Sequence, residues 1–147
     1  MKIVSWNCRG LGSRTKVEAM KDLIKIFNPD ILLVQKSKLE EQAFLLSYNY
    51  FWKKGEALAV SSRGAWGGLG TLWNTNKHDL IGSTCNTHCI LTKLLQKDTV
   101  HKMSLFNIYV PVQFSEKTLL GSNSRLFVNP CVVLEPGMVH TIFFPRS

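Results

Sequence analysis

Carboxylates are scarce in this chain. Asp and Glu number 10 against 18 Lys and Arg in 147 residues, which leaves a formal net charge of +8 and a pI near 9.5. A surplus of that sign favours polyanionic partners, nucleic acid above all, although a solvated basic face has the same composition. Long apolar runs are missing too: no stretch reaches the roughly 18 residues needed to span a bilayer. No secretory signal precedes the first strand-like segment, and cysteine occurs only as Cys8, Cys85, Cys89 and Cys131. These features predict an intracellular protein with reduced thiols. No glycine-rich stretch ends in the Lys-Ser/Thr of a P-loop or follows the dinucleotide fingerprint, which argues against both kinds of nucleotide site. What is present is globular: 45% apolar residues and a mean hydropathy of +0.01, in a length that suits one domain with a real core.

The most informative stretch is the first. Lys2 to Trp6 has the β-branched and aromatic content of a strand, and Asn7-Cys8-Arg9-Gly10-Leu11-Gly12 follows as a tight loop. Thr15-Lys16-Val17-Glu18 has the form of a capping box, and Val17, Met20, Leu23, Ile24 and Phe27 recur at helical spacing behind it. Asn28-Pro29-Asp30 ends that helix. Ile31 to Val34 is a continuous apolar run, as in a strand buried on both faces. The opening is therefore a βαβ unit with parallel strands, which brings Gln35 and Lys36 to the same sheet edge as Asn7.

Beyond it, Ser37-Lys38-Leu39-Glu40 repeats the capping-box pattern and predicts a short helix to about Leu46. Tyr48 to Trp52 reads as a strand and Ala57 to Val60 as another. Ser62 to Gly70 is a glycine-dense loop with one cation, Arg63, and backbone amides that could approach a phosphate closely. Asp79 to Leu95 reads as one or two strands about a turn at Asn86. Cys85, His88 and Cys89 are zinc-ligand types, but no second cluster stands at ligand spacing, and the two cysteines are expected on one strand face with His88 on the other. Met103 to Val110 is a strong strand closed by Pro111, with Asn107 and Tyr109 on one face.

Four motifs now stand in order: Ser5 to Gly12, Pro29 to Gln35, Gly67-Gly68-Leu69 with Leu72-Trp73, and Asn107 to Pro111. That series resembles the endonuclease/exonuclease/phosphatase superfamily, most closely the endonuclease domain of plant LINE-type retrotransposons, across about Met1 to Leu119. The resemblance implies an α/β (α+β) fold, the N-terminal part of a four-layer α/β/β/α sandwich whose second half is incomplete. It divides the chain into a partial domain over 1–119 and an unrelated or poorly ordered tail over 120–147. It also implies Mg²⁺-dependent cleavage of phosphodiesters in DNA, a nuclear setting, and site roles at matching positions. Asn7 matches the asparagine that helps hold metal and phosphate, and Tyr109 the tyrosine that hydrogen-bonds the scissile phosphate. Arg9 and Arg63 are the expected nucleic-acid contacts.

The departures bear on catalysis. The family's second strand ends in Gln-Glu, the glutamate being the main metal ligand; here it ends in Gln35-Lys36. An ammonium offers no lone pair to a hard cation. At about 4 Å it would repel a divalent ion by about 2 kcal/mol in water and about 8 kcal/mol at an effective dielectric of 20. The Gly-Asp-Phe-Asn and Ser-Asp-His motifs that orient and deprotonate water have no counterpart, and Trp66 stands where relatives carry a small residue. The expected function is that of a catalytically inactive remnant, with a residual nucleic-acid-binding fragment as the alternative.

Overall fold

The computed structural model describes residues 1–64, 66–109, 131–134 and 140–144. Two sheets stack face to face, and helices cover one of them. The elements run β1 (Lys2–Asn7), α1 (Arg14–Phe27), β2 (Ile31–Gln35), α2 (Glu41–Ser47), a 3-10 turn (Tyr48–Tyr50), β3 (Gly55–Arg63), β4 (Trp66–Asn74), β5 (His78–Asn86), β6 (Cys89–Gln96), β7 (Lys102–Ile108), β8 (Cys131–Leu134) and β9 (His140–Phe144). The first sheet has the order β3-β4-β2-β1-β9 and the second β5-β6-β7-β8. Strand β1 is parallel to both β2 and β9, whereas β2–β4, β3–β4 and every pair of the second sheet are antiparallel.

The alternation of side chains along the strands builds two apolar layers. Val4, Trp6, Leu32, Val34 and Leu72 face outward under the helices and meet Met20 and Leu23 of α1, Phe44 of α2, Phe51 and Trp52. Ile3, Ile31, Leu33 and Trp73 face inward and meet Leu94, Met103 and Leu105 of the second sheet. Each fully buried side chain of this size contributes about 1.5–3 kcal/mol of transfer free energy. Trp52 also donates its indole N–H to the Trp73 carbonyl at 3.3 Å. The result is a mixed α+β sandwich of helices, sheet and sheet. Among the described residues no helix covers the second sheet's outer face, and none is long and apolar enough to cross a membrane.

Several local expectations change. Ser13, not Thr15, caps α1: its hydroxyl accepts from the Lys16 amide at 3.3 Å. The helix ends at Asn28, left-handed at φ 45°, a conformation that asparagine tolerates at a helix end, and Pro29 follows. Ser37 does not cap α2; its hydroxyl accepts from the Leu39 amide at 3.3 Å, and α2 begins only at Glu41, with Glu40 at the cap position and no side-chain cap bond. Tyr48–Tyr50 is a 3-10 turn rather than a strand: Tyr48 packs on the core beside Phe51 and Trp52, while Tyr50 is exposed. The glycine-dense stretch is not a loop. From Gly67 to Asn74 it is buried in β4, between β2 and β3, and Arg63 pairs with Trp66 at the hairpin end. Glycine is required there by crowding: a Cβ on Gly70 would lie 2.1 Å from Phe44 Cζ, and one on Gly68 would lie 2.3 Å from Ser37 Oγ. Two pieces of the expected tail join the sheets as β8 and β9. The remaining positions of 120–147 lie outside the described residues, as does the strand end at Val110.

Candidate functional site

Parallel pairing of β1 and β2 sets the site's frame. Asn7 stands opposite Gln35, so the residue after each strand emerges at one edge of the sandwich. The ladder continues past the strand ends. Cys8, Gly10 and Leu11 amides donate to the Gln35, Lys36 and Ser37 carbonyls at 3.1, 2.7 and 2.8 Å, and the Ser37 and Lys38 amides donate to Gly68 and Gly67 at 3.1 and 3.0 Å. Arg9, Lys36 and Lys38 hold left-handed backbones at φ 51°, 54° and 58° within this lattice, a conformation that costs a residue with a Cβ about 1–2 kcal/mol. The hydrogen bonds on either side fix it.

Within that frame Lys36 and Tyr109 come together, one residue past the Asn7–Gln35 strand pair. Asn7 is buried, and its Oδ1 has no hydrogen-bond partner among the described residues. The Lys36 ammonium lies 5.4 Å from the centroid of the Tyr109 ring, within range of a cation–π contact. Tyr109 is held by its amide, which donates to the His88 carbonyl at 2.8 Å, and burial raises its phenol pKa. Its ring sits 3.6 Å from where a Gly67 side chain would begin, so Gly67 opens the space it fills. Arg9 is exposed on the loop that follows Asn7, and Arg63 is exposed at the hairpin end, 3.3 Å from the Thr87 hydroxyl. Trp66, where relatives carry a small residue, is 70% exposed.

The neighbouring thiol is chemically quiet. Cys8 is fully buried, and desolvation pushes its pKa up to about 11 despite nearby backbone amides and lysines. Cys85 and Cys89 do not share a strand face: Cys85 pairs across from Ile90 and Cys89 from Asn86, on opposite faces of the β5–β6 hairpin. Burial raises both of their pKa values.

Beneath the edge lies a polar network to which periodicity alone gives no role. The Gln35 amide nitrogen donates to Ser5 Oγ at 3.0 Å and to Asn107 Oδ1 at 2.8 Å. Asn107 in turn donates to the Gly70 carbonyl at 2.9 Å and the Thr71 hydroxyl at 3.2 Å. All four side chains are buried, and the chain of bonds ties β1, β2 and β4 to β7 across the two sheets. The signal for it is two amides at otherwise apolar, inward-facing strand positions. In low dielectric such a satisfied network rigidifies its members, here the strand that ends at Lys36.

A divalent metal is tested against these donors. Asn7 Oδ1 is a suitable hard oxygen, but the position beside it carries an ammonium, and among the described residues no three His, Cys, Asp or Glu side chains cluster anywhere. The described donor set does not fit Mg²⁺.

The architecture matches solved structures. The AP endonuclease LMAP from Leishmania major superposes with a TM-score of 0.59 at 14% identity, covering 80% of this chain and 44% of that one. The fold is, in part, that of the AP endonucleases. An AP endonuclease from Archaeoglobus fulgidus gives 0.53 at 19% identity over 74% of this chain and 41% of its own. The APE2 catalytic domain from Xenopus laevis gives 0.51 at 18% identity over 74% and 45%. The chain thus spans less than half the length of each. No protein-family model matches it, and neither does any curated protein sequence.

Proposed function

We propose that this chain is a remnant of a Mg²⁺-dependent DNA endonuclease domain, of the kind carried by LINE-type retrotransposons, and that it does not cut its substrate. One observation carries the reading: a lysine ammonium rests on Tyr109, one residue past the Asn7–Gln35 strand pair, where hydrolysis calls for a carboxylate. Phosphodiester hydrolysis needs a cation on the phosphate oxygens and a base or metal that makes water nucleophilic at neutral pH. An ammonium supplies charge but has no lone pair with which to take a proton. Plasmid DNA incubated with the purified chain and Mg²⁺ or Mn²⁺ is expected to stay supercoiled. Metal-dependent nicking that disappears in Asn7→Ala would overturn the reading.

A second reading, nucleic-acid binding without catalysis, is favoured by the charge of +8 and by Arg9, Lys36, Lys38 and Arg63 around one edge. The fold's similarity to AP endonucleases makes DNA the natural partner to try first. Binding of this kind weakens linearly in log–log terms as salt rises. Salt-insensitive or absent binding sinks it.

A further inference from the structure

Three of the four tryptophans, Trp6, Trp52 and Trp73, are buried in the core. The fourth, Trp66, is 70% exposed. It stands at the end of the β3–β4 hairpin, directly across from Arg63, which is exposed as well. A second hairpin meets this one: the Arg63 guanidinium donates to the Thr87 hydroxyl at 3.3 Å, in the turn between β5 and β6. That turn is braced on both sides. The His88 amide donates to Asn86 Oδ1 at 2.9 Å, and the His88 carbonyl accepts from the Tyr109 amide at 2.8 Å. One donor of the guanidinium is thus engaged by the protein, which positions the cation and leaves its other N–H groups for a ligand.

We infer that Trp66 is a stacking platform for an unpaired nucleobase, with Arg63 on the adjoining phosphate, so that these two hairpin ends take single-stranded nucleic acid. The inference rests on the nucleic-acid-binding reading and names the form of the ligand. An indole presents a broad apolar π-face that any base can cover, so such a stack tolerates every sequence. Inside an intact duplex both faces of a base are already covered by its neighbours. A ring on a hairpin surface therefore finds a free face only where a base is unpaired. The surroundings fit a polyanion better than an apolar protein surface. The other exposed residues at the two hairpin ends are Arg63, Gly64, Asn86 and His88, which supply polarity and charge rather than a contiguous apolar patch.

The test uses the full chain and fluorescence anisotropy with three fluorescein-labelled ligands: an oligothymidylate, a strand of the same length made of abasic sites, and a long duplex in which end bases are few. The wild type is expected to bind the oligothymidylate more tightly than the abasic strand, although the two carry the same phosphates. Trp66→Ala should weaken oligothymidylate binding by about 5–100-fold, the loss of one base–aromatic stack, and Trp66→Tyr should keep most of the affinity. On the abasic strand and the duplex, Trp66→Ala should change affinity by less than about 3-fold. Arg63→Gln should weaken the oligothymidylate and the abasic strand alike and flatten the salt slope by about 0.7, as loss of one phosphate contact on a single strand does. Because the other three indoles are buried, acrylamide quenching reads Trp66 directly. The oligothymidylate should shield it and the abasic strand should not. Circular dichroism melts confirm that the variants are folded. Salt-dependent binding that is unchanged in Trp66→Ala, equal losses on all three ligands, or equal wild-type affinity for the strands with and without bases overturns the inference and leaves the nucleic-acid reading standing. Absence of binding to all three removes both.

Discussion

Replacing Asn107 by leucine tests whether the buried amide network holds the two sheets in register. Asn107 is 0% exposed. Its amide donates to the Gly70 carbonyl at 2.9 Å and accepts from Gln35 at 2.8 Å. Leucine leaves one Gln35 N–H buried without its partner, at about 1–3 kcal/mol, and removes the bonds to the Gly70 carbonyl and the Thr71 hydroxyl, at about 0.5–1.5 kcal/mol each. The expected loss is about 2–6 kcal/mol, against a typical total stability of about 5–15 kcal/mol. Urea unfolding followed by tryptophan fluorescence measures it. Gln35→Leu alone should also destabilise. The double variant should cost less than the sum of the singles by about 1–3 kcal/mol, since both ends of one bond are then gone. A single-variant loss below about 1 kcal/mol, or singles that add within about 0.5 kcal/mol, would refute the claim that these amides act as one unit.

Other expectations are simpler. Gly70→Ala drives a methyl into the Phe44 ring and should cost about 1–3 kcal/mol or more in a urea titration, whereas Gly82→Ala, whose Cβ meets only Lys93 Cδ at 3.6 Å, serves as the mild control. The Cys8 thiol, raised from 9.0 to about 11 when folded, stays protonated after the unfolded thiol ionises, so its contribution is lost as pH rises. By linkage, wild type should lose about 1.4 kcal/mol between pH 8 and 10 that Cys8→Ala does not lose, and identical pH profiles would exclude this. Asp30 is lowered although burial opposes it, because Lys77 pairs with it at 2.8 Å and the Lys2 amide donates to it. Its contribution is present above the unfolded carboxyl pKa of about 4 and disappears as pH falls through the folded value. The stability gap between wild type and Lys77→Ala should therefore close in acid, which denaturant midpoints at neutral and acid pH would reveal.

The β1–α1–β2 opening was legible because its two signals, helical spacing at Met20 and Leu23 and the unbroken run Ile31 to Val34, are local and agree with each other. The Asn7–Lys36 juxtaposition follows from parallel pairing alone. The glycine stretch misled because its composition describes a turn, whereas its function is to let Phe44 and Ser37 lie against a strand backbone, a fact set by residues elsewhere in the chain. Ser37 misled in the same way: its hydroxyl turns a loop beside Gly68 rather than starting a helix. The inter-sheet amides were invisible for a related reason. Nothing near Gln35 or Asn107 in sequence announces that they meet 72 residues apart.

The place of β9 bears on how the chain reaches this structure. Lys2 pairs with His140 and Trp6 with Phe144, so β1 is bonded to a strand far downstream in the sequence. During synthesis β1 has β2 on one side early, but its other edge stays open until residues past 140 have left the ribosome. Contacts of such sequence separation slow folding, and an open apolar strand is what chaperones hold and what aggregates recruit. Nascent chains arrested before His140 should therefore stay protease-sensitive and chaperone-bound, and release should come with the final strand rather than with the βαβ unit.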